Sequence, residues 1–149
     1  MSLDVFFFSY LDGKPVPYPI DIVKDALGRF ATRTDGKSWA LRFPDGGWCD
    51  LDLNDAAEFS FFALSPPAFS SELWQGVFEI MKKTRGILVC TGAGSCVTDV
   101  SVISRIDFAD DVSPVYVVNG PIGIRLRVEE ALQGFNPYLN HVQKRLQHP

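Results

Sequence analysis

Residues 38–53, SWALRFPDGGWCDLDL, hold two short apolar-rich runs around Pro44-Asp45-Gly46-Gly47, a loop whose residue types favour a tight reversal. The spacing predicts a β-hairpin of Ser38 to Phe43 with Trp48 to Leu53. In its second arm the alternation assigns Leu51 and Leu53 to a core face and Asp50 and Asp52 to a wet face, because successive strand side chains point to opposite sides. Two carboxylates so close on one face repel each other, an arrangement better suited to meeting a basic partner than to meeting nothing.

Working outward, Asp4 to Leu11 is aromatic and β-branched on both faces, as expected of a central strand buried on both sides. Pro15, Pro17 and Pro19 impose an extended connector. Ile22, Val23, Ala26, Leu27 and Phe30 then recur at helical spacing from Ile20 to about Ala31, with Asp21 in the first turn. Glu58 to Leu64 reads as a third antiparallel strand, stopped by Pro66 and Pro67, which remove ladder donors. Ser70 or Ser71 is placed to cap a helix whose apolar stripe is Leu73, Trp74, Val77, Phe78 and Met81, and Gly86 is its stop signal.

Ile87 to Cys90 is a short strand leading into the glycine-rich Thr91 to Ser95. Val97 to Phe108 fits helical spacing through Val100, Ile103 and Ile106, against its β-branched content, and is assigned to a helix. Val115 to Val118 is another strand. Asn119-Gly120-Pro121 opens a helix ending near Gly134, and Asn136-Pro137 starts a last one carrying Tyr138, Leu139, Val142 and Leu146. This mixed order, with no sustained βαβ rhythm, predicts one α+β domain over residues 1–149, with a mainly antiparallel sheet of about five strands and helices packed on it.

Composition narrows the function. The chain has 149 residues, enough for one core, and twelve Phe and three Trp to fill it. Its formal charge of −4, with scattered Lys and Arg, argues against binding nucleic acid, which requires clustered cations. Val5 to Phe8 is too short an apolar run to span a membrane or serve as an export signal. Cys49, Cys90 and Cys96 lack metal-site or disulfide-framework spacing, the pattern of reduced thiols in a cytoplasmic protein, although Cys90 and Cys96 can meet across the loop between them.

Each chemical motif is incomplete. Asp35-Gly36-Lys37-Ser38 ends like a P-loop, but Ala31 stands where the first glycine belongs, and the segment follows a helix and enters a strand. Gly92 and Gly94, with Ser95, resemble part of a dinucleotide fingerprint, with Val97 in place of its third glycine; small side chains make this the best candidate ligand loop. Asp50-Leu51-Asp52-Leu53-Asn54-Asp55 begins like a calcium loop, yet Asp55 and Phe61 occupy the positions that need Gly and Glu. His141 and His148 have no neighbours at ligand spacing, so neither a metal nor another cofactor is expected. A nucleophile built from Cys90 or Cys96 with His141 would require convergence in space. Asp107, Asp110 and Asp111 make an acidic stretch, ordinarily a solvated face and alternatively a recognition patch. Trp48 beside Asp50 has the composition of a binding anchor, where core packing is the ordinary alternative.

The run from Asp4 to Phe8, through Trp39 to Gly47 and Asp50 to Leu53, to Ser71 to Ile80, resembles small bacterial proteins encoded beside polymorphic or type VI secreted toxins, over roughly the first ninety residues. The resemblance implies a non-catalytic, cytoplasmic immunity protein that binds a cognate protein toxin and blocks it. Trp48, Asp50 and Asp52, and then Asp107, Asp110 and Asp111, would be its contact residues. Two other classes stay open. One is a small enzyme or ligand-binding domain using Gly92 to Ser95, discriminated by a reactive thiol. The other is a homo-oligomeric module, a homodimer for instance, in which surplus aromatic surface is hidden between copies.

Overall fold

Phe7 is fully buried near the middle of a broad sheet, and the whole arrangement can be followed outward from its strand. The computed structural model describes residues 5–11, 14–35, 38–53, 58–59, 61–65, 70–90, 94–105 and 114–131. In chain order the elements are β1 (Val5–Phe8), β2 (Tyr10–Leu11), β3 (Lys14–Pro15), β4 (Tyr18–Pro19), α1 (Asp21–Leu27) with a 3-10 turn at Gly28–Phe30, β5 (Ala31–Asp35), β6 (Ser38–Arg42) and β7 (Trp48–Leu53). There follow β8 (Glu58–Phe59), β9 (Phe61–Ser65), α2 (Ser71–Thr84), β10 (Ile87–Cys90), β11 (Gly94–Val97), a 3-10 helix at Val100–Arg105, β12 (Val115–Val117) and α3, residues 121–131.

Eight strands form one sheet in the order β12-β11-β10-β1-β9-β7-β6-β5, and β2–β3 and β4–β8 make two small ladders. The α+β class is as expected. The sheet, however, exceeds five strands, and it is mixed, because β11 and β12 run parallel while the other pairs of the large sheet are antiparallel. Two segments account for the difference. Ala31–Asp35, which is polar and follows directly on the 3-10 turn after α1, forms the edge strand β5. The end of the glycine-rich stretch, expected as a loop, supplies β11, and of the helix expected over Val97 to Phe108 the described part, residues 97–105, holds a 3-10 helix at Val100–Arg105, while residues 106–108 lie outside the described residues.

The central strand and the hairpin stand where the patterns put them. β1 lies between β9 and β10, and β6 pairs antiparallel with β7 from Ser38 opposite Asp52 to Arg42 opposite Trp48. Val5, Phe7, Leu41, Leu51, Phe62, Leu64 and Leu88 face one side and are buried there against α1, α2 and α3. Phe7 stacks on Phe62 with 4.8 Å between centroids. Burying a side chain of this size contributes about 1.5–3 kcal/mol, so this layer carries most of the stability. Ile87, Val97 and Val102 form a second, smaller cluster on the opposite face.

α2 begins and ends for reasons the pattern only half reveals. Ser70 occupies its N-cap, yet its hydroxyl is not bonded to the helix. At the other end Arg85, not Gly86, takes the left-handed conformation, with φ 55°, and its N–H donates to the Met81 carbonyl at 2.7 Å. Gly86 is required by proximity instead, because a Cβ there would collide with the Phe7 ring and the Phe8 carbonyl. The helix stop and the sheet core thus meet at one residue.

Candidate partner-binding face

The sheet face turned away from α1 and α2 is built from the residues that alternate with the core. Along β7 these are Trp48, Asp50 and Asp52; β6 sets Arg42, Ala40 and Ser38 opposite them, and β9 sets Ser65 opposite Asp50 and Ala63 opposite Asp52. Small side chains therefore flank both carboxylates. Trp48 is 53% exposed and Asp52 is exposed, while Asp50 is half-buried. The two carboxyl-bearing residues are about 7 Å apart along the strand, a separation at which their repulsion in water is only about 0.6 kcal/mol. A single incoming cation is attracted by both.

The same face continues into an aromatic strip. Phe6 lies opposite Ala63 and Phe8 opposite Phe61, two strand spacings or about 10 Å from β7. Phe8 stacks with Phe6, Phe61 and Tyr10 at centroid distances of 6.3, 5.9 and 5.8 Å. All four rings are half-buried. The face is thus graded from apolar at β1 to acidic at β7, on a scaffold held by continuous ladders rather than by a loop.

The remaining expected site residues fall elsewhere. Asp107, Asp110, Asp111, Gly92 and His141 lie outside the described residues. Gly94 and Ser95 belong to β11, where they do not form an open cradle. Gly94 has φ +87°, and a Cβ on it would strike the Pro114 carbonyl, which also accepts the Ser95 N–H at 2.8 Å. The Ser95 hydroxyl is buried and has no hydrogen-bond partner among the described residues. Asp35 pairs with Ser38 across the β5–β6 hairpin, so the P-loop-like segment leaves one strand and enters the next, and residues 36 and 37 are outside the described chain.

Cys90 and Cys96 do approach each other, on β10 and β11, and both face the main core. Their thiols share a hydrogen bond, which lowers the Cys90 pKa against the opposing effect of burial; the same bond together with burial raises that of Cys96. Cys49, Cys90 and Cys96 are all buried and none is in a disulfide, so none presents a nucleophile to solvent. Among the described residues no group of three or more His, Cys, Asp or Glu side chains is arranged to hold a metal, and no helix is long and apolar enough to cross a membrane.

One feature escapes the sequence patterns: a depression of about 490 Å³ beside β12 and the start of α3, bordered by Val117, Pro121, Ile122, Leu126 and Arg127. Arg127 stacks over Tyr116 at 4.3 Å. The available signal was the pair Ile122 and Leu126, four apart on one helix and off the stripe of Ile124, Val128 and Ala131 that enters the core. Compared with protein-family models, curated proteins and solved structures, the chain matches none.

Proposed function

We propose that this protein is a cytoplasmic immunity protein that neutralises a cognate bacterial toxin by occupying a basic surface on it. The observation that carries this reading is the largely exposed Trp48 standing beside Asp50 and Asp52 on a rigid sheet face. An exposed indole on an ordered strand can bury a large area with little loss of side-chain freedom. The neighbouring carboxylates steer and orient a cationic partner. Blocking by contact needs no acid, base or nucleophile, which agrees with the burial of all three thiols. Asp107, Asp110 and Asp111 belong to the same proposal as a second acidic contact.

Co-purification with the toxin encoded by the neighbouring gene tests the proposal. The expected result is a complex whose association slows as salt is raised and which Trp48→Ala weakens by roughly thirtyfold, the mark of an interface hot spot. Asp50→Asn with Asp52→Asn should mainly reduce the association rate. Absence of any complex, or a complex indifferent to all three substitutions, refutes the assignment.

A further inference from the structure

We infer that the end of the sheet formed by β12 and α3 is a self-association surface, on which two copies of this chain pack α3 against α3 in an antiparallel, two-fold arrangement. Among the described residues six large apolar side chains are exposed, and three of them, Val117 at 48%, Ile122 at 73% and Leu126 at 49%, gather here around the 490 Å³ depression. β12 is the last strand of the sheet, laddered to β11 on one side. α3 is apolar on two sides: Ile124, Val128 and Ala131 enter the core, while Ile122 and Leu126 point away from it. A stripe of this kind on an edge element marks an interface more often than an isolated exposed Leu does.

The charges on α3 identify the occupant. Arg125 and Glu129 are 3.1 Å apart and flank the exposed stripe, and Arg127 pairs with Glu130 at 2.9 Å, so that in both pairs the cation precedes the anion along the helix. A second α3 laid antiparallel, with the two-fold axis near Leu126, brings each Arg125 within reach of the other copy's Glu129. A parallel copy would set Arg against Arg and Glu against Glu. Leu126 of each copy then meets its mate at the axis, with Ile122 one turn away on the same stripe, so the exposed apolar surface faces itself, which is the self-complementarity a two-fold contact requires. With one helix of about 16 Å and a short strand, the contact is smaller than a standard interface, and dissociation falls in the micromolar range. Trp48 on β7 is five strand positions away, about 24 Å, so this surface is independent of the toxin-binding proposal.

Sedimentation velocity of the full chain from about 1 µM to 1 mM tests the inference. The expected result is a monomer–dimer equilibrium that Ile122→Asp weakens by roughly tenfold or more and that Trp48→Ala leaves unchanged. Arg125→Glu and Glu129→Arg should each weaken self-association, and mixing the two variants should restore a heterodimer, a rescue that neither folding nor the intrachain Arg125–Glu129 pair can imitate, because that pair is broken in both chains. A chain monomeric at every concentration overturns the proposal, as does a dimer insensitive to Ile122→Asp. If a variant ending at residue 131 dimerises where the full chain does not, the chain's own C-terminal segment covers this stripe and the proposal is likewise overturned.

Discussion

The Ser70 hydroxyl donates to Asp45 Oδ1 at 2.6 Å, joining the β6–β7 turn to the N-cap of α2 across twenty-five positions of sequence. The same carboxylate oxygen accepts the Gly47 N–H at 2.9 Å. One aspartate therefore shapes the hairpin turn and holds the helix start against it, and this is why Ser70 stands at the N-cap without bonding the helix.

The bond from Ser70, followed by that from Gly47, holds the Asp45 carboxyl below the ordinary carboxylate range. A group whose pKa is lower in the folded chain contributes stability that is complete above its unfolded value, near 3.9, and is lost as pH falls through the lower folded value. The stability difference between the protein and Asp45→Asn should therefore be constant from about pH 7 to 5 and shrink below about pH 4. Asp99, similarly lowered by hydrogen bonds from Ser101, is common to both proteins and cancels. Urea midpoints at a series of pH values measure this, and a difference that does not change down to pH 3 contradicts the assignment.

Gly86 and Gly28 should respond in opposite senses to the same substitution. Gly86→Ala drives a methyl into the Phe7 ring and should cost about 1–3 kcal/mol. Gly28 is right-handed helical, with φ −60°, and a Cβ there meets the Lys24 Cβ at an ordinary 3.7 Å, so Gly28→Ala should stabilise by about 0.4–1 kcal/mol. Thermal or urea unfolding of the two variants decides it, and equal effects would mean that the Phe7 contact is misplaced.

Adjacent residues of β7 make a sharper comparison. Leu51 is fully buried and Asp52 exposed, so Leu51→Ala should lose about 2–5 kcal/mol while Asp52→Ala stays within about 0.5 kcal/mol. A one-residue slip of register would exchange the two results.

The thiols give a chemical test of the enzyme alternative. With all three cysteines buried, alkylation of the native protein should be slow, with three equivalents reacting once the chain is unfolded in urea. A single fast-reacting thiol under native conditions would place a nucleophile at the surface and restore that alternative.

What the sequence made legible follows from how local its causes are. The β6–β7 hairpin is written in its own sixteen residues, with turn chemistry in the middle and Leu51 and Leu53 alternating with Asp50 and Asp52, so its two arms and its wet face are as expected. β1 announces its central place through Phe on both faces. β5 does not, because Ala31–Asp35 carries no apolar alternation and becomes a strand only through its pairing with β6. β11 was hidden by Gly94 and Ser95, which suit a loop in isolation but here lie against Pro114 and β12. The helix expected from Val97 does not begin there because Val97 belongs to β11 and pairs with Val117 of β12. Gly86 was assigned to the right place for the wrong reason, since contact with Phe7 is invisible until the sheet exists.

β1 pairs with β9 and β10, partners whose residues lie some fifty to eighty positions further along the chain. During synthesis the hydrophobic tetrapeptide Val5–Phe8 consequently leaves the ribosome long before the segments that will shelter it. At about 5–20 residues per second, the wait for β10 lasts roughly 4–16 s. Throughout that time four consecutive apolar residues, three of them phenylalanine, are without the strand that covers one edge of them in the folded chain.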